Sequence, residues 1–335
     1  MRPILPLCAA ICILAGCATT LSEEHARALE ARAAKGDISA GETLEQRAKA
    51  GDPVAQRFLG DMYAGGHGVP HNDELALEWF GKAAAQGDVL SMHDLAVIYQ
   101  RAPGKLRDYG QALKWYREAA EKGYARSQAN LGEMLTEGTG TAQDLPEGRQ
   151  WIEKAAAQKE PRGQYLLGML YLEGRGVGKN IARGASLIRS AADAGDRDAQ
   201  YRLALLYGNG LGEKQDDQQG VVWLRKSADQ GQREAEYLLA AIYARGLYGV
   251  KQDDEAAVVW LRRSALQGHA PAQYALGLAY AEGRGVAKDE VEAYTWFRQA
   301  AKNGNRRAAE LVEKVESRKE KVQPLVPLPG GTGPR

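Results

Sequence analysis

The chain has 335 residues, with 44 Lys and Arg against 43 Asp and Glu and a net charge of +1. A charge this close to zero removes the electrostatic attraction on which nucleic-acid binding depends, so no nucleic-acid partner is expected. With 44% hydrophobic and 26% charged residues, the composition is that of an ordinary folded protein. The length suits two or three domains or one extended array.

The N-terminus has the pattern of an export signal. The first 22 residues carry a single charge, and the apolar stretch 4–16 is shorter than the roughly 20 residues that cross a bilayer as a helix. Leu14-Ala15-Gly16-Cys17 resembles the lipobox of bacterial lipoproteins, in which the cysteine is acylated and becomes the first residue of the mature chain. We therefore predict a covalent lipid on Cys17.

Lipidation would determine both thiol content and location. Removal of a signal peptide over 1–16 takes away Cys8 and Cys12 and leaves Cys17 alone, so no internal disulfide is expected. Several acyl chains anchor a protein stably in a membrane. By the sorting rule known for such lipoproteins, Ala18 rather than Asp after the cysteine implies the outer membrane, with the protein facing the periplasm. The lipid is the only attached group that we predict, with no cofactor and no metal.

After residues 17–52, a lipid-anchored segment in which we predict capping helices, the chain becomes repetitive. Its tryptophans recur at intervals of 36, 36, 72, 37 and 36 residues, at Trp79, Trp115, Trp151, Trp223, Trp260 and Trp296. Leu187 occupies the missing position in the double interval. Dividing the chain at the same position relative to each tryptophan, or to Leu187, gives seven repeats. They are 53–88, 89–124, 125–160, 161–196, 197–232, 233–269 and 270–305.

The repeat pattern predicts two helices. Position three is always small, position seven is Leu, position eight is Gly or Ala, and position eleven is Tyr except at Leu135. These positions share one face of an α-helix, so they predict a first helix with a narrow packing face. Paired glycines end it in most repeats, and a second helix follows with the tryptophan at its centre and a glycine as its left-handed cap. Lys159 replaces that glycine in the third repeat, where we expect Pro161 to stop the helix instead.

The whole pattern resembles the Sel1-like repeat, a branch of the tetratricopeptide-type helical solenoids. The repeat 161–196 carries it well, with Gly163, Leu167, Gly168, Tyr171, Gly174, Gly176, Val177, Ala191, Ala192 and Gly195. The resemblance implies an all-α fold, an α-α superhelical solenoid of seven helix-turn-helix repeats with capping helices at both ends. We expect the C-terminal cap over 306–321 and a flexible Pro/Gly-rich tail over 322–335.

One helix pair cannot bury its own apolar face, so neighbouring repeats have to stack. We expect each indole to fill the space between its own repeat and the next. Local irregularity is expected in repeat 2, where Ala102-Pro103-Gly104 replaces the glycine pair, and in repeat 4, where Leu187 replaces the tryptophan.

Little in the sequence points to catalysis or metal binding. His67 and His71 have the spacing of helical metal ligands, but they flank an interhelical loop, which favours a loop role. The segment 174–179 superficially resembles a phosphate-binding loop, yet it follows a helix and recurs as the turn of the repeat. We predict no catalytic and no metal-binding residue, although catalytic groups can converge from distant repeats.

A stacked helical array presents its first helices along a concave groove. We predict that positions five, nine and twelve face this groove, and position five carries Arg57, His93, Ala129, Tyr165, Tyr201, Tyr237 and Tyr274. Four consecutive tyrosines would form a ladder suited to a protein partner or to the faces of sugar rings in a polysaccharide. Packing between repeats is the favoured interpretation of these tyrosines, because tyrosine is frequent at this position in the family that the pattern resembles.

The resemblance and the predicted anchor favour a non-enzymatic scaffold on the periplasmic side of the outer membrane, which gathers periplasmic or outer-membrane proteins into an assembly. A narrower alternative is an accessory lipoprotein of exopolysaccharide secretion, on shared architecture alone. The enzymatic alternative is weak β-lactamase or penicillin-binding activity, as described for some cysteine-rich exported Sel1-type proteins. The absence of cysteine from all seven repeats disfavours it.

Overall fold

The computed structural model describes the backbone of residues 20–322 and the side chains of residues 20–317. Within that range the chain forms seventeen α-helices and one 3-10 turn, with no strand, which confirms the predicted all-α class. The predicted signal peptide, Cys17 and residues 323–335 of the predicted tail lie outside the described residues. None of the helices described is long and apolar enough to cross a membrane.

The chain divides into two compact units, Met1–Gln158 and Lys159–Arg335. The helices of the N-terminal unit are α1 (Glu23–Ala33), α2 (Ile38–Lys49), α3 (Pro53–Gly65), α4 (Asp73–Ala85), α5 (Val89–Arg101), α6 (Tyr109–Glu121), α7 (Ala125–Glu137) and α8 (Leu145–Ala157). Those of the C-terminal unit are α9 (Pro161–Glu173), α10 (Ile181–Asp193), α11 (Arg197–Asn209), α12 (Asp217–Asp229), α13 (Arg233–Arg245), α14 (Asp254–Leu266), α15 (Ala270–Glu282), α16 (Glu290–Lys302) and α17 (Arg306–Val322).

Side-chain caps determine where the second helix of each repeat begins. Each of these helices follows an Asn or Asp whose side-chain oxygen accepts a hydrogen bond from a first-turn backbone N–H, a donor that has no partner inside the helix. The caps are Asn72, Asp108, Asp144, Asn180, Asp216, Asp253 and Asp289. The ends of the first helices are equally regular, since six of the seven end at a left-handed glycine.

The exception is repeat 2. Its first helix ends at Ala102 in an extended conformation, and a 3-10 turn over Gly104–Leu106 follows. This is the loop in which the missing glycine pair predicted irregularity.

The connection after α8 differs from the prediction that Pro161 stops this helix. Lys159 adopts a left-handed φ of 61°, the conformation that Gly123 and Gly195 adopt at the matching position of other repeats. Pro161 does not stop α8, because it is the first residue of α9, where its fixed φ is suitable and its missing N–H costs no hydrogen bond. The geometry of the turn therefore requires a left-handed residue even where the sequence supplies no glycine.

Within each unit, consecutive helices pack on one another in chain order, as in a solenoid. The leucines at position seven and the small residues at position three are buried in every repeat. Position eight is small because the two helices of a repeat approach closely. A Cβ on Gly132 would lie 2.6 Å from Ile152 Cγ1 and 2.7 Å from the carbonyl oxygen of Gly148 on the facing helix.

The direction in which the indoles pack differs from the prediction. Trp79 of α4 is buried in a cluster with residues of α1, α2 and α3, which precede α4 in the chain. It does not lie in the core of the following repeat. Trp296 likewise packs on a cluster that contains Leu261 of the preceding repeat and Tyr280 of its own repeat. The expectation that each indole fills the space towards the next repeat is therefore wrong at these positions.

A buried amide at position four links consecutive repeats, and this feature was not predicted. Gln128 Nε2 donates to the carbonyl oxygen of Ala120, 3.1 Å away in the preceding repeat, and Gln128 Oε1 accepts from Gln158 Nε2 at 2.8 Å. Gln56, Gln200 and Gln273 make the same pair of bonds. The amide thus satisfies a carbonyl in the last turn of the previous helix that has no partner inside that helix.

Candidate functional site

Position five of the first helix, where the sequence predicts a binding face, begins with a buried cation. Arg57 is 6% exposed and forms an ion pair with the Glu23 carboxylate of α1. Asp88 and Asp61 lie 3.6 Å and 3.9 Å from its guanidinium nitrogens. Arg57 therefore connects α1 to α3 and to the N-terminus of α5, and its charge is already balanced inside the protein.

Two aspartates beside Arg57 have unusual acidity. Burial, with repulsion from Asp94, raises the pKa of Asp61 to about 7 even though Arg57 opposes the shift. Burial also raises the pKa of Asp94 to about 6. Sequence analysis placed position nine, which includes Asp61, on the groove side but did not identify this acidic cluster, because the shift depends on burial and on side chains from neighbouring repeats.

His93, the next residue at position five, also has partners inside the protein. Its Nδ1 lies 2.9 Å from Ser127 Oγ in the following repeat, and its ring packs edge-on against Tyr124 at 5.1 Å. Burial, reinforced by the charges of Arg126 and Arg101, lowers the pKa of His93 to about 4, so the imidazole is neutral at pH 7. Ala129 follows at this position and is fully buried.

The C-terminal unit carries the four tyrosines of the predicted ladder, each half-buried. The guanidinium carbon of Arg162 lies 5.0 Å from the ring centre of Tyr165. Tyr237 packs edge-on against His269 at 5.1 Å, and the ring centres of Tyr274 and Phe297 are 5.7 Å apart.

The hydroxyl groups separate these tyrosines from three of those at position eleven. Tyr207 accepts a hydrogen bond from Arg189 at 2.8 Å, Tyr243 accepts one from Arg225 at 2.9 Å, and Tyr280 accepts one from Arg262. Among the described residues, no hydrogen-bond partner faces the hydroxyls of Tyr165, Tyr201, Tyr237 and Tyr274. Burial raises the pKa of Tyr165 to about 12, so its free hydroxyl remains a donor at any physiological pH. The hydroxyls of Tyr207, Tyr243 and Tyr280 thus have a structural role, whereas the hydroxyls at position five stay available.

An arginine next to the ladder lacks a counter-ion. Arg202 is half-buried, and its Nε is shielded from solvent without a hydrogen-bond partner. In the described part of the chain, no carboxylate lies within 4 Å of its guanidinium. Its positive charge acts on both Tyr165 and Tyr201, which places it near both rings. The sequence pattern did not single out Arg202, although position six carries arginine in no other repeat.

The C-terminal unit also contains cavities. One of about 350 Å³ is lined mostly by small and apolar side chains of α11, α12 and α13, together with Tyr248. Another, of about 210 Å³, is lined in part by Tyr237 of the ladder. Space of this kind arises where position eight and its neighbours are Ala or Gly.

The two histidines considered as metal ligands lie in the loop after α3. His67 Nδ1 is 3.2 Å from Glu30 Oε1, and His71 Nδ1 is 2.8 Å from the carbonyl oxygen of Ala64. Across residues 20–317 there is no group of three or more His, Cys, Asp or Glu side chains placed to hold a metal ion. In the segment 174–179, Gly174 is the left-handed cap of α9, as the turn interpretation predicts.

Comparison with protein families matches the Sel1 repeat to residues 53–88, 89–124, 125–160, 161–196, 197–232, 233–269 and 270–305. Proteins with these repeats are typically protein-interaction scaffolds and are generally non-catalytic. A comparison with curated protein sequences finds no significant match.

Several solved structures are similar. A Sel1 repeat protein from Oxalobacter formigenes is 29% identical with a TM-score of 0.60, over 87% of this chain and 86% of that one. The protective antigen c5321 of uropathogenic Escherichia coli is 34% identical with a TM-score of 0.55, over 82% of this chain. This chain spans only 59% of the length of c5321. Yeast Tom70 shares the fold alone, at 12% identity and a TM-score of 0.50 over 86% of this chain and 60% of that one.

Proposed function

Since this chain belongs to the Sel1 repeat family, we propose that it is a non-enzymatic scaffold that gathers periplasmic or outer-membrane proteins at the bacterial outer membrane. The lipobox pattern that ends at Cys17 supports a lipid anchor, and Ala18 supports an outer-membrane location facing the periplasm. The seven matched repeats support binding of proteins rather than catalysis.

The observation that carries the proposal is the face formed by Tyr165, Tyr201, Tyr237 and Tyr274. Tyrosine is enriched at protein interfaces because its ring offers a large apolar contact and its hydroxyl a hydrogen bond, with little conformational entropy to lose. In the described structure these four hydroxyls have no internal partner, whereas the hydroxyls of Tyr207, Tyr243 and Tyr280 at position eleven do. A structural role in packing does not require the hydroxyls to be left free.

A site-specific photocrosslinking experiment tests the interaction surface. The full-length protein is expressed in a Gram-negative envelope with p-benzoylphenylalanine at position 201 or 237, and crosslinked species are identified after irradiation. We expect defined adducts with one or a few proteins from these positions. Position 222 is the matched control, because Val222 is 47% exposed on a second helix. Equal, diffuse labelling from positions 201, 237 and 222 would contradict the proposal.

The anchor needs its own test. We expect metabolic labelling with an alkyne-bearing fatty acid to mark the wild-type protein and to place it in the outer-membrane fraction. The Cys17→Ala variant should lose both the label and the membrane association. A wild-type protein that carries no label and fractionates as a free periplasmic protein would overturn the location, while the crosslinking result would stand independently.

A further inference from the structure

We infer that the surface around Arg202, Tyr165 and Tyr201 binds a single side-chain carboxylate of a protein partner's extended segment. This inference rests on the proposed scaffold function and adds the chemistry of the partner. It is carried by the unpaired guanidinium of Arg202 and by the groups around it.

Arg202 is unusual among the arginines of this surface. Arg162 has its own counter-ion, with Nη1 2.7 Å from Asp198 Oδ2, and Arg233 Nε lies 2.8 Å from Glu234 Oε1. Arg202 has no such partner among residues 20–317, and its Nε is both shielded from water and without a hydrogen bond. The Nη groups of this half-buried guanidinium are not among the buried unpartnered atoms, so they stay open to an incoming carboxylate, which accepts two parallel hydrogen bonds from them.

The repeats themselves supply an internal control. Position six is Phe58, Asp94, Asn130, Leu166, Leu238 and Ala275 in the other six repeats. The fold therefore does not need an arginine here, and the usual explanation for a half-buried arginine, an ion pair that joins two helices, does not apply to Arg202.

The neighbouring charges restrict the ligand. Burial raises the pKa of Tyr165 and of Tyr201, and the charges of Asp198 and Glu234 add to these shifts, which places one carboxylate near each tyrosine. Asp198 is paired with Arg162 and Glu234 with Arg233, whereas Arg202 has no counter-ion among the described residues. A segment with one carboxylate between uncharged residues matches this single open cation, whereas a polymer with a negative charge on every unit, such as a polyuronate, would leave most of its charges unpaired here.

The tyrosines provide the rest of the contact. The free hydroxyls of Tyr165 and Tyr201 can donate to backbone carbonyls of an extended segment, and their rings can pack against its apolar side chains. Tyr237 continues the same series in the next repeat, so the segment can run along several first helices with its carboxylate fixed at Arg202.

The test begins with the purified full-length protein in detergent and a phage-displayed library of random dodecapeptides. We expect the selected peptides to carry a single Asp or Glu among apolar and aromatic residues. A selected peptide and its Glu→Gln or Asp→Asn analogue are then titrated by fluorescence polarisation. The loss of the charge should weaken binding about tenfold, the usual size of one charge-assisted hydrogen-bond pair.

Variants of the protein assign this effect to Arg202. Arg202→Met should abolish the difference between the acidic peptide and its amide analogue, and Arg202→Lys should keep part of it. Arg225→Met is the matched control, because Arg225 donates to Tyr243 inside the protein and should leave the difference intact. Equal thermal unfolding of the Arg202 variants and the wild type would show that the fold is unchanged.

The outcomes separate this inference from the proposed function. Selected peptides without an acidic residue, or an Arg202→Met variant that still discriminates the amide analogue, would overturn the role of Arg202. If Tyr201→Ala abolishes peptide binding in that case, the scaffold function survives. Binding of a hexauronate oligosaccharide with no peptide selected would contradict both proposals.

Discussion

The N-terminal and C-terminal units use the same position of the same repeat in opposite ways. In the N-terminal unit, the side chains at this position already have partners inside the protein. Arg57 pairs with carboxylates, His93 contacts a serine hydroxyl, and Ala129 is buried among other side chains. In the C-terminal unit this position carries tyrosines whose hydroxyls have no partner in the described residues. The repeat therefore fixes where a side chain lies along the helix, while the neighbouring residues decide whether it is available to a ligand.

The largest expected effect comes from Arg57→Met. Removing this guanidinium breaks the pair with Glu23 and leaves Asp88 and Asp61 without their cation, which we expect to cost about 3 kcal/mol. Hydrogen exchange followed by mass spectrometry should show protection of α1 falling by about two orders of magnitude. The same measurement on Tyr201→Phe is the control, and a comparable loss in its own helix would remove the contrast between the units.

A pH series examines the acidic cluster beside Arg57. The raised pKa of Asp61 means that the folded state keeps a proton that the unfolded chain releases, so this group makes stability fall as pH rises from about 4 to about 7. Asp61→Asn should therefore stabilise the protein by about 1–2 kcal/mol at pH 8, after allowance for solvent screening, and have little effect at pH 4.

Chemical denaturation at the two pH values checks this expectation. Glu290→Gln is a suitable control, because the Glu290 side chain is 80% exposed. A stabilisation by Asp61→Asn that is the same at pH 4 and pH 8 would show that ionisation of Asp61 is not its cause.

The two classes of tyrosine should differ by about 1 kcal/mol. Tyr243→Phe removes the hydrogen bond from Arg225, whereas Tyr201→Phe removes a hydroxyl without an internal partner. We expect the first change to lower the free energy of unfolding by about 1 kcal/mol and the second to alter it by less than about 0.5 kcal/mol. Equal costs in urea denaturation would mean that the position-five hydroxyls also serve the fold.

The smallest expected effect concerns a difference between repeats at the end of the second helix. Lys159 adopts the left-handed conformation that glycine adopts elsewhere, so Lys159→Gly should stabilise the protein by about 0.5–1 kcal/mol. Gly123→Ala, at the matching position of repeat 2, should destabilise it by a similar amount. Thermal unfolding checks both, and a loss of stability in Lys159→Gly would contradict the explanation.

Much of the fold was readable from the sequence, because a residue that recurs every 36 positions reports a local requirement. The indole direction and the role of Lys159 were not, since both depend on how helices distant in sequence meet. The position-four amide had a visible signal, the recurrence of Gln56, Gln128, Gln164, Gln200 and Gln273, but its two partners belong to different helices. Arg202 had a signal too, as an arginine at a position that is otherwise apolar, amide or acidic.

The sequence by itself determined the helix pairs, their caps and the seven-fold recurrence, because hydrogen bonds between near neighbours and a repeating apolar face act over short stretches of chain. Only the tertiary structure decided which side chains of that recurring face are satisfied and which are free. Arg57 has its charge balanced by a carboxylate 34 residues earlier in the chain, whereas Arg202 has no carboxylate in reach within the described residues. Charge balance depends on distance in space, and a repeat that places its residues identically does not fix what stands opposite them.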